Sequence, residues 1–207
     1  FINEITVNVT EMFRDPTFWI YLRDYVIPEL NNRPVIRIWH AACSTGEEVY
    51  SMGILLREAG IDNKVRITAT DLNETALEQA RKGVYRIKNQ TLNQKNYAVF
   101  NGKGDLSKYY KEEDNTVVFD NTLIKQVEFL KHDLTSGQEL SKFDLIICRN
   151  VLIYFNFNLQ DKVLQLFHNS LKPNSYLGIG SKESIYRTKI EKMLKIESYE
   201  EKIFRNE

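Results

Sequence analysis

The chain has 207 residues, which suits one domain with an elaboration, and 43% of them are hydrophobic, enough for a buried core. Its 28 basic and 28 acidic side chains cancel, which argues against a protein that binds the phosphate backbone of a nucleic acid. We also expect no membrane insertion, because no apolar run approaches the ~20 residues that span a bilayer and no signal peptide is visible.

Residues 1–34 predict an N-terminal segment followed by one linker helix. Asp15 and Pro16 are typical of a helix start, with the acid as cap and the proline in the first turn. Pro28 is expected to limit how far this helix runs.

From residue 35 onward, apolar strand patterns alternate with helical ones, which predicts an α/β domain over residues 35–207 with a parallel sheet covered on both faces. Two short patterns near the end predict an antiparallel hairpin. The predicted strands are 35–40, 65–70, 127–132, 143–148, 176–180, 194–199 and 202–205, and the predicted helices are 47–58, 74–82 and 159–171.

Residues 85–125 interrupt this alternation and are too long for an ordinary connection. Short strand patterns at Tyr109–Tyr110 and Thr116–Phe119 predict a small inserted β-subdomain. A surface loop without fixed structure is the alternative, which the aromatic content of the segment disfavours.

Cys43 and Cys148 do not have a metal-binding spacing, and we expect no metal. Both fall at the ends of buried strands, which is typical of reduced core cysteines in a cytoplasmic protein. A redox pair is the alternative.

The loop after the first strand predicts a ligand site. Ala41, Ala42 and Gly46 are small, so a ligand can approach the backbone closely there, and we take Ala41 as a cofactor contact. The loop lacks a G-x-G-x-x-G motif and runs into two acids, so a cationic amine suits it better than a pyrophosphate. Glu48 is the candidate for that amine, although a capping box would also explain it.

Asp71 ends the second strand, where a carboxylate can accept hydrogen bonds from a ribose diol, or alternatively cap the next helix. A ribose and a cationic amine together indicate S-adenosyl-L-methionine rather than NAD or ATP. After the third strand, Asp133 and Leu134 are candidates for the edge and face of the adenine, unless Asp133 only starts a loop.

The fourth strand ends in Arg149 and Asn150, which places two polar groups at the carboxyl edge, where open α/β sheets bind ligands. Tyr154 follows and is expected to stand over the reacting group. A buried aromatic role is the alternative for Tyr154.

Taken in order, these motifs resemble the CheR family of chemoreceptor glutamate O-methyltransferases. Individually they are moderately specific, but together they are highly specific and span nearly the whole chain. The matching segments are 8–16, 41–48, 69–71, 83–86, 143–155, 171–173 and 178–183.

The resemblance implies a Rossmann-like, seven-stranded methyltransferase sheet, S-adenosyl-L-methionine as donor and S-adenosyl-L-homocysteine as product. It also implies methyl-accepting receptor helices as substrate and a receptor tether peptide at the β-subdomain. Arg14 and Tyr154 would face the point of methyl transfer. One departure is Asp133, where the family often has Asn. The cofactor-site residues that the resemblance implies are Asn8, Thr10, Arg14, Glu48, Asp71, Asp133, Leu134, Arg149 and Asn150.

The acceptor carboxylate, with a reference pKa of ~4.3, is ionised at neutral pH, so the reaction needs no strong base. Two alternatives stay open. One is a methyltransferase for a small molecule or nucleic acid, which the Arg149-Asn-Val-Leu sequence disfavours because amino-methylating enzymes often carry Asn/Asp-Pro-Pro-Tyr there. The other is a non-catalytic cofactor-sensing or scaffold domain.

Overall fold

The computed structural model describes residues 10–207, in which a seven-stranded sheet with the order β6-β2-β1-β7-β8-β10-β9 carries helices on both faces. The five neighbouring strands β6, β2, β1, β7 and β8 are parallel to one another, and β10 is antiparallel to both of its neighbours, β8 and β9. The sheet strands are β1 Ile36–Ala41, β2 Val65–Asp71, β6 Val127–Lys131, β7 Phe143–Cys148, β8 Leu171–Ile179, β9 Leu194–Ser198 and β10 Ile203–Asn206.

Alternate side chains of the central strands enter two separate cores, one on each face of the sheet. In β7, Leu145 and Ile147 belong to one core, which we call the first core, whereas Ile146 and Cys148 belong to the other, the second core. Every residue of β7 is buried, as expected for the centre of a doubly covered parallel sheet. The main α-helices that cover the sheet are α3 Glu47–Glu58, α4 Glu74–Lys82 and α6 Phe157–Ser170.

The N-terminal helix begins at Pro16 as predicted, but Asp15 makes no capping hydrogen bond with its side chain, so the predicted cap is wrong. The helix ends at Leu30, two residues after Pro28. A π-helical stretch, Leu22–Val26, lies between α1 Pro16–Tyr21 and α2 Ile27–Leu30. The wider π turn relieves the clash between a proline ring and the preceding turn.

The inserted segment forms a three-stranded antiparallel sheet with the order β3-β5-β4, which confirms the predicted β-subdomain. Its strands are β3 Val84–Arg86, β4 Tyr110–Glu113 and β5 Thr116–Phe119. It also contains an eleven-residue helix, α5 Gln90–Phe100, that the sequence did not predict. Two of the four buried residues of that helix, Gln90 and Asn93, are polar and precede the buried aromatics Tyr97 and Phe100, so its apolar stripe is broken.

The predicted hairpin is confirmed as β9 and β10. Strand β8 begins at Leu171 rather than at the predicted residue 176, and it contains an irregularity at Pro173 and Asn174, where Asn174 has a φ of 54°. Within residues 10–207, no helix has the length and apolar composition that crossing a bilayer requires.

Candidate functional site

A cavity of about 840 Å³ opens at the carboxyl edge of the parallel strands. Loops that follow β1, β2, β6 and β7 form its wall, and the N-terminal segment from Thr10 to Arg14 adds a further side. Asn8 lies outside the described residues. Ala41 is buried in the second core and does not line the cavity, whereas its neighbour Ala42 does. The other candidates all line it: Thr10, Arg14, Glu48, Asp71, Asp133, Leu134, Arg149, Asn150 and Tyr154.

The loop after β1 is held tightly against its neighbours. Gly46 begins α3 with a φ of 91°, and a Cβ atom there would lie 2.6 Å from the Cβ of Ala80, so only glycine fits. The capping box considered for Glu48 is not formed, because no side chain caps this helix. The first backbone N–H groups of this helix therefore have no side-chain cap.

Asp71 is fixed by the backbone on both sides. Its Oδ2 accepts a hydrogen bond from the Ser44 N–H at 2.8 Å, and its Oδ1 accepts one from the Asn73 N–H at 2.9 Å. Asn73, not Asp71, caps α4. Because a carboxylate has about four acceptor positions, Asp71 can still accept two hydrogen bonds from a diol in the cavity.

Glu48 and Arg149 belong to a partly buried chain of charges. Glu48 Oε1 lies 2.9 Å from His40 Nδ1, Glu48 Oε2 lies 3.5 Å from Arg149 Nη1, and Arg149 Nη2 lies 2.5 Å from Asp15 Oδ2. The Arg149 guanidinium also stands 4.3 Å from the ring centre of Phe18. Burial acts to raise the pKa of Glu48, but the hydrogen bond from His40 and the charge of Arg149 outweigh it, so the pKa is lowered. Glu48 is thus held as an anion that faces the cavity.

Asp133 takes the loop-starting role that the sequence left open and keeps one carboxylate oxygen without a partner among the described residues. Its Oδ1 accepts hydrogen bonds from the N–H and hydroxyl of Thr135, which starts a short helical turn. Its Oδ2 has no hydrogen bond among residues 10–207 and is left for a ligand in the cavity that Asp133 lines. Leu134 beside it is buried and supplies an apolar surface.

The loop after β7 is shaped by a residue that sequence reasoning did not single out as functional. Buried Glu183 accepts hydrogen bonds from the N–H groups of Val151 at 2.8 Å, Leu152 at 2.7 Å and Gly180 at 2.5 Å. Burial nevertheless raises the pKa of Glu183. With this support, Asn150 adopts a φ of 62° and the Tyr154 side chain stays 56% exposed at the mouth of the cavity. The buried aromatic role considered for Tyr154 is therefore wrong.

The cysteines are free and buried, and they are not bonded to each other. Cys43 lines the cavity, but burial, with smaller effects from Asp71 and Glu48, raises the pKa of its thiol well above the usual value. His132 also lines the cavity and points its Nε2 at the Gln138 carbonyl, 2.9 Å away. Cys43 and His132 are not hydrogen-bonded to each other, so they do not form an activated nucleophile pair.

Three residues at the site escaped the sequence reasoning: His40, Asp15 and Glu183. A histidine inside an apolar strand was the only available signal for His40. The partner of Asp15 lies 134 residues away, and Glu183, besides Gly180, holds backbone groups about 30 residues before it, so no local pattern points to these contacts.

The seven-stranded sheet, with Glu48 at the start of the helix after β1 and Asp71 at the end of β2, is the arrangement expected of an S-adenosylmethionine-dependent methyltransferase. Residues 8–201 match the family profile described as "CheR methyltransferase, SAM binding domain". The chain belongs to this family, and S-adenosyl-L-methionine is the cofactor that its domain binds.

Proteins that are similar to this one over most of its length are also described as methyltransferases. A Pseudomonas putida protein described as a methyltransferase, Cher3, is 44% identical over 181 residues, which cover 87% of this chain and 66% of that one. A chemotaxis protein methyltransferase of Listeria innocua is 37% identical, covering 89% and 68%. One from Borreliella burgdorferi is 34% identical, covering 89% and 67%. The chain thus spans about two thirds of the length of these relatives.

Among solved structures, magnesium protoporphyrin IX methyltransferase from Synechocystis with bound S-adenosylhomocysteine is 18% identical. It covers 82% of this chain and 57% of its own, with a TM-score of 0.46. The family assignment rests on the sequence matches.

Proposed function

We propose that the protein transfers a methyl group from S-adenosyl-L-methionine to glutamate side chains on the cytoplasmic helices of chemotaxis receptors. One observation carries the proposal: a single cavity is lined by the acids Glu48 and Asp71, by the partly buried Arg14 and by Tyr154, whose side chain is exposed to solvent. An acceptor carboxylate can reach such a mouth without entering the core. The names of the chemotaxis relatives support this substrate class.

The residues of the cavity suit the cofactor part by part. Asp71, already oriented by two backbone N–H groups, would accept the ribose hydroxyls. Glu48 would pair with the cationic amine, and the buried Arg149 beside it with the carboxylate of the same amino-acid group. The open Oδ2 of Asp133 and the apolar surface of Leu134 would receive the adenine. Thr10 and Asn150 would close the remaining sides.

The protein's task in the reaction is positioning. When bound, S-adenosylmethionine supplies a methyl group on a positively charged sulfur, which a carboxylate oxygen can displace. Because the acceptor carboxylate is already ionised, no side chain has to remove a proton. Arg14 would steer the carboxylate and Tyr154 would orient it, and such alignment can contribute up to ~7–11 kcal/mol.

We further propose that the β-subdomain holds a receptor tether peptide. Its strands β3 and β4 lie at the edges of the three-stranded sheet, and an extended peptide can pair with such an edge through its backbone.

The test is methylation of a receptor fragment by the purified chain with a labelled donor. Base-labile methyl ester on glutamate supports the proposal. Binding of S-adenosylhomocysteine without any ester would indicate a non-catalytic sensing or scaffold domain instead.

The residue roles have their own test. Arg14→Ala and Tyr154→Phe should retain S-adenosylhomocysteine binding within about threefold while transfer falls by roughly tenfold or more, since alignment is lost. Tyr25→Phe, at another exposed tyrosine, is the control. Unchanged turnover in the first two variants would contradict the assigned roles.

A further inference from the structure

Four large apolar side chains are exposed beside the mouth of the cavity. Ile153 is 45%, Tyr154 56%, Phe157 50% and Tyr186 61% exposed. We refer to these four residues as the aromatic rim. The first three follow one another in the segment after β7, and Ile153 and Tyr154 also line the cavity. Side chains of this size and exposure, grouped beside a binding site, are typical of a surface that another protein covers.

Tyr186 belongs to a different segment, but two contacts fix that segment against the first. At its start, Glu183 accepts hydrogen bonds from the backbone of Val151 and Leu152, just before Ile153. At its end, the Lys189 N–H donates to Asp161 Oδ1 at 2.7 Å, one turn into the helix that begins at Phe157. The loop 183–189 therefore arches beside residues 151–161, with Tyr186 at its centre.

The side chain of Ile185 anchors this arch, because it is buried in the second core together with Leu152. The chain turns sharply next to it, where Arg187 has a φ of 62° and its N–H donates to Glu191 Oε2 at 2.9 Å. Tyr186 is thus held outward by a defined turn rather than by a loose one.

The arch carries positive charge toward solvent. Lys182 and Arg187 are exposed, and the Arg187 guanidinium stands 5.2 Å from the ring centre of Tyr186. Of the acids nearby, Glu183 is buried on backbone N–H groups, Asp161 pairs with Lys189, and Glu191 accepts the backbone N–H of Arg187. Among residues 10–207 neither Lys182 nor Arg187 forms a salt bridge, and an aromatic surface edged by such cations favours an acidic partner.

We propose that the aromatic rim, with Lys182 and Arg187, is the docking surface for the acceptor segment, an acidic amphipathic helix whose apolar stripe covers Tyr186 and Phe157. This inference rests on the proposed function. A helix presents apolar residues at intervals of three and four, so a rim of four neighbouring side chains suits one apolar face. Acids that flank that stripe would meet Lys182 and Arg187 and would bring the acceptor carboxylate toward Tyr154.

The experiment compares the double variant Tyr186→Ala/Arg187→Ala with the wild type on a receptor helix fragment. Neither residue belongs to the cofactor cavity or to the proposed catalytic pair. Tyr25→Ala/Arg66→Ala is the matched control, since Tyr25 is 63% exposed and Arg66 is an exposed residue at the end of β2 opposite Asp71. KM and kcat for the fragment, the S-adenosylhomocysteine affinity and the sedimentation coefficient are measured for all three proteins.

We expect KM for the fragment to rise about tenfold in the double variant, while kcat and cofactor affinity stay within about twofold. The wild-type KM should also rise with added salt, and that of the double variant much less, because screening acts on the charge that the variant lacks. The control should match the wild type in every measurement.

The inference is overturned if the double variant and the control have the same KM on an active wild-type background. It is also overturned if the wild type is a dimer that the double variant dissociates, because the rim would then bind a second copy of the chain. A wild type that forms no methyl ester at all refutes the proposed function instead, and the docking inference falls with it.

Discussion

The side chain of Asp71 is oriented by the backbone before any ligand arrives, which favours the ribose contact that we propose for it. Hydrogen bonds from the Ser44 and Asn73 backbone fix both carboxylate oxygens, so binding loses little side-chain entropy. Asp71→Asn removes the charge and one acceptor oxygen. We expect the dissociation constant for S-adenosylhomocysteine to rise by about 10- to 100-fold, measured by titration calorimetry.

The control for that change is Asp62→Asn, which makes the same substitution in the short 3₁₀ helix before β2, at the opposite edge of the sheet. It should leave the affinity unaltered. Equal affinities for wild type and Asp71→Asn would remove Asp71 from the cofactor site.

The buried carboxyl group of Glu47 leads to a prediction about how the stability of the fold depends on pH. It is 6% exposed, and burial raises the pKa of its carboxyl to about 7, with the Thr45 hydroxyl as a partner only 2.7 Å away. A raised pKa means that the folded state binds the proton more tightly than the unfolded state. The stability that this proton provides is therefore present below pH 4.5 and is lost as the pH rises through about 7.

Glu47→Gln keeps an acceptor for Thr45 but cannot ionise. We measure the free energy of unfolding of both proteins by urea titration and take the difference, variant minus wild type. This difference should be larger at pH 8.5 than at pH 5 by roughly 2–3 kcal/mol. The exposed residue Glu78 gives the control, Glu78→Gln, for which this difference should not change. A constant difference for Glu47→Gln between pH 5 and 8.5 would disprove the assignment.

The sequence could predict single residues where strand position and chemistry coincide. Asp71 ends β2 and Glu48 lies in the helix that follows β1, and both line the cavity as these positions predict. Asp15 was predicted as a cap because local patterns describe neighbours, whereas its observed partner, Arg149, is 134 residues away. Glu183 escaped for the same reason, since its function depends on a loop that precedes it by some 30 residues.

At the scale of elements, the loop between β1 and α3 depends on one glycine. Gly46→Ala would combine a φ of 91° with a contact of 2.6 Å to the Ala80 Cβ, so we expect a loss of about 2–4 kcal/mol in the free energy of unfolding. Gly60→Ala is the matched control, because Gly60 has a φ of 72° with no atom within 4 Å of the added Cβ.

Gly60→Ala should cost only the backbone term, about 1 kcal/mol. Urea unfolding of both variants separates the two causes. Equal losses in the two variants would mean that the contact with Ala80 contributes nothing and that the helices can separate to admit a methyl group.

Helices and strands whose apolar residues recur at regular intervals could be predicted, and those whose apolar pattern is interrupted by polar residues could not. Helix α3 and strand β7 have the predicted bounds, because each has an uninterrupted apolar pattern between clear turns. Helix α5 was missed since Asn93 interrupts its buried face. That asparagine is buried for a tertiary reason: its Oδ1 accepts the hydrogen bond of the Met12 N–H at 3.0 Å.

At the scale of the whole molecule, the cavity joins parts of the chain that are far apart in sequence. The segment around Met12 is bonded to α5 through Asn93 and Asn96, and Phe13 bonds Ser51 of α3 through its backbone. One end of the same segment carries Arg14 into the cavity. The sheet edge and the N-terminal segment therefore form the cavity together, and helix α5 of the inserted subdomain supports that segment from behind, which no single motif could have revealed.

A ligand that bridges these parts should stabilise all of them at once. S-adenosylhomocysteine at 100 times its dissociation constant should add ~2.7 kcal/mol to the free energy of unfolding. For a domain of this size, that corresponds to a rise in Tm of roughly 5–10 °C, measured by calorimetry. ATP, which has a ribose and adenine but no cationic amine, should produce little shift at the same concentration because Glu48 would repel its phosphates.

The same melting experiment tests how much Asp71 contributes to the stabilisation of the whole domain by the ligand. At that concentration of S-adenosylhomocysteine, Asp71→Asn should show less than about half of the wild-type shift, since the gain follows the logarithm of ligand over dissociation constant. Hydrogen exchange should slow near Met12 as well as near Asp71, because one ligand contacts both walls of the cavity. Protection confined to the sheet edge would mean that the N-terminal segment lies beside the cofactor without contributing to its binding.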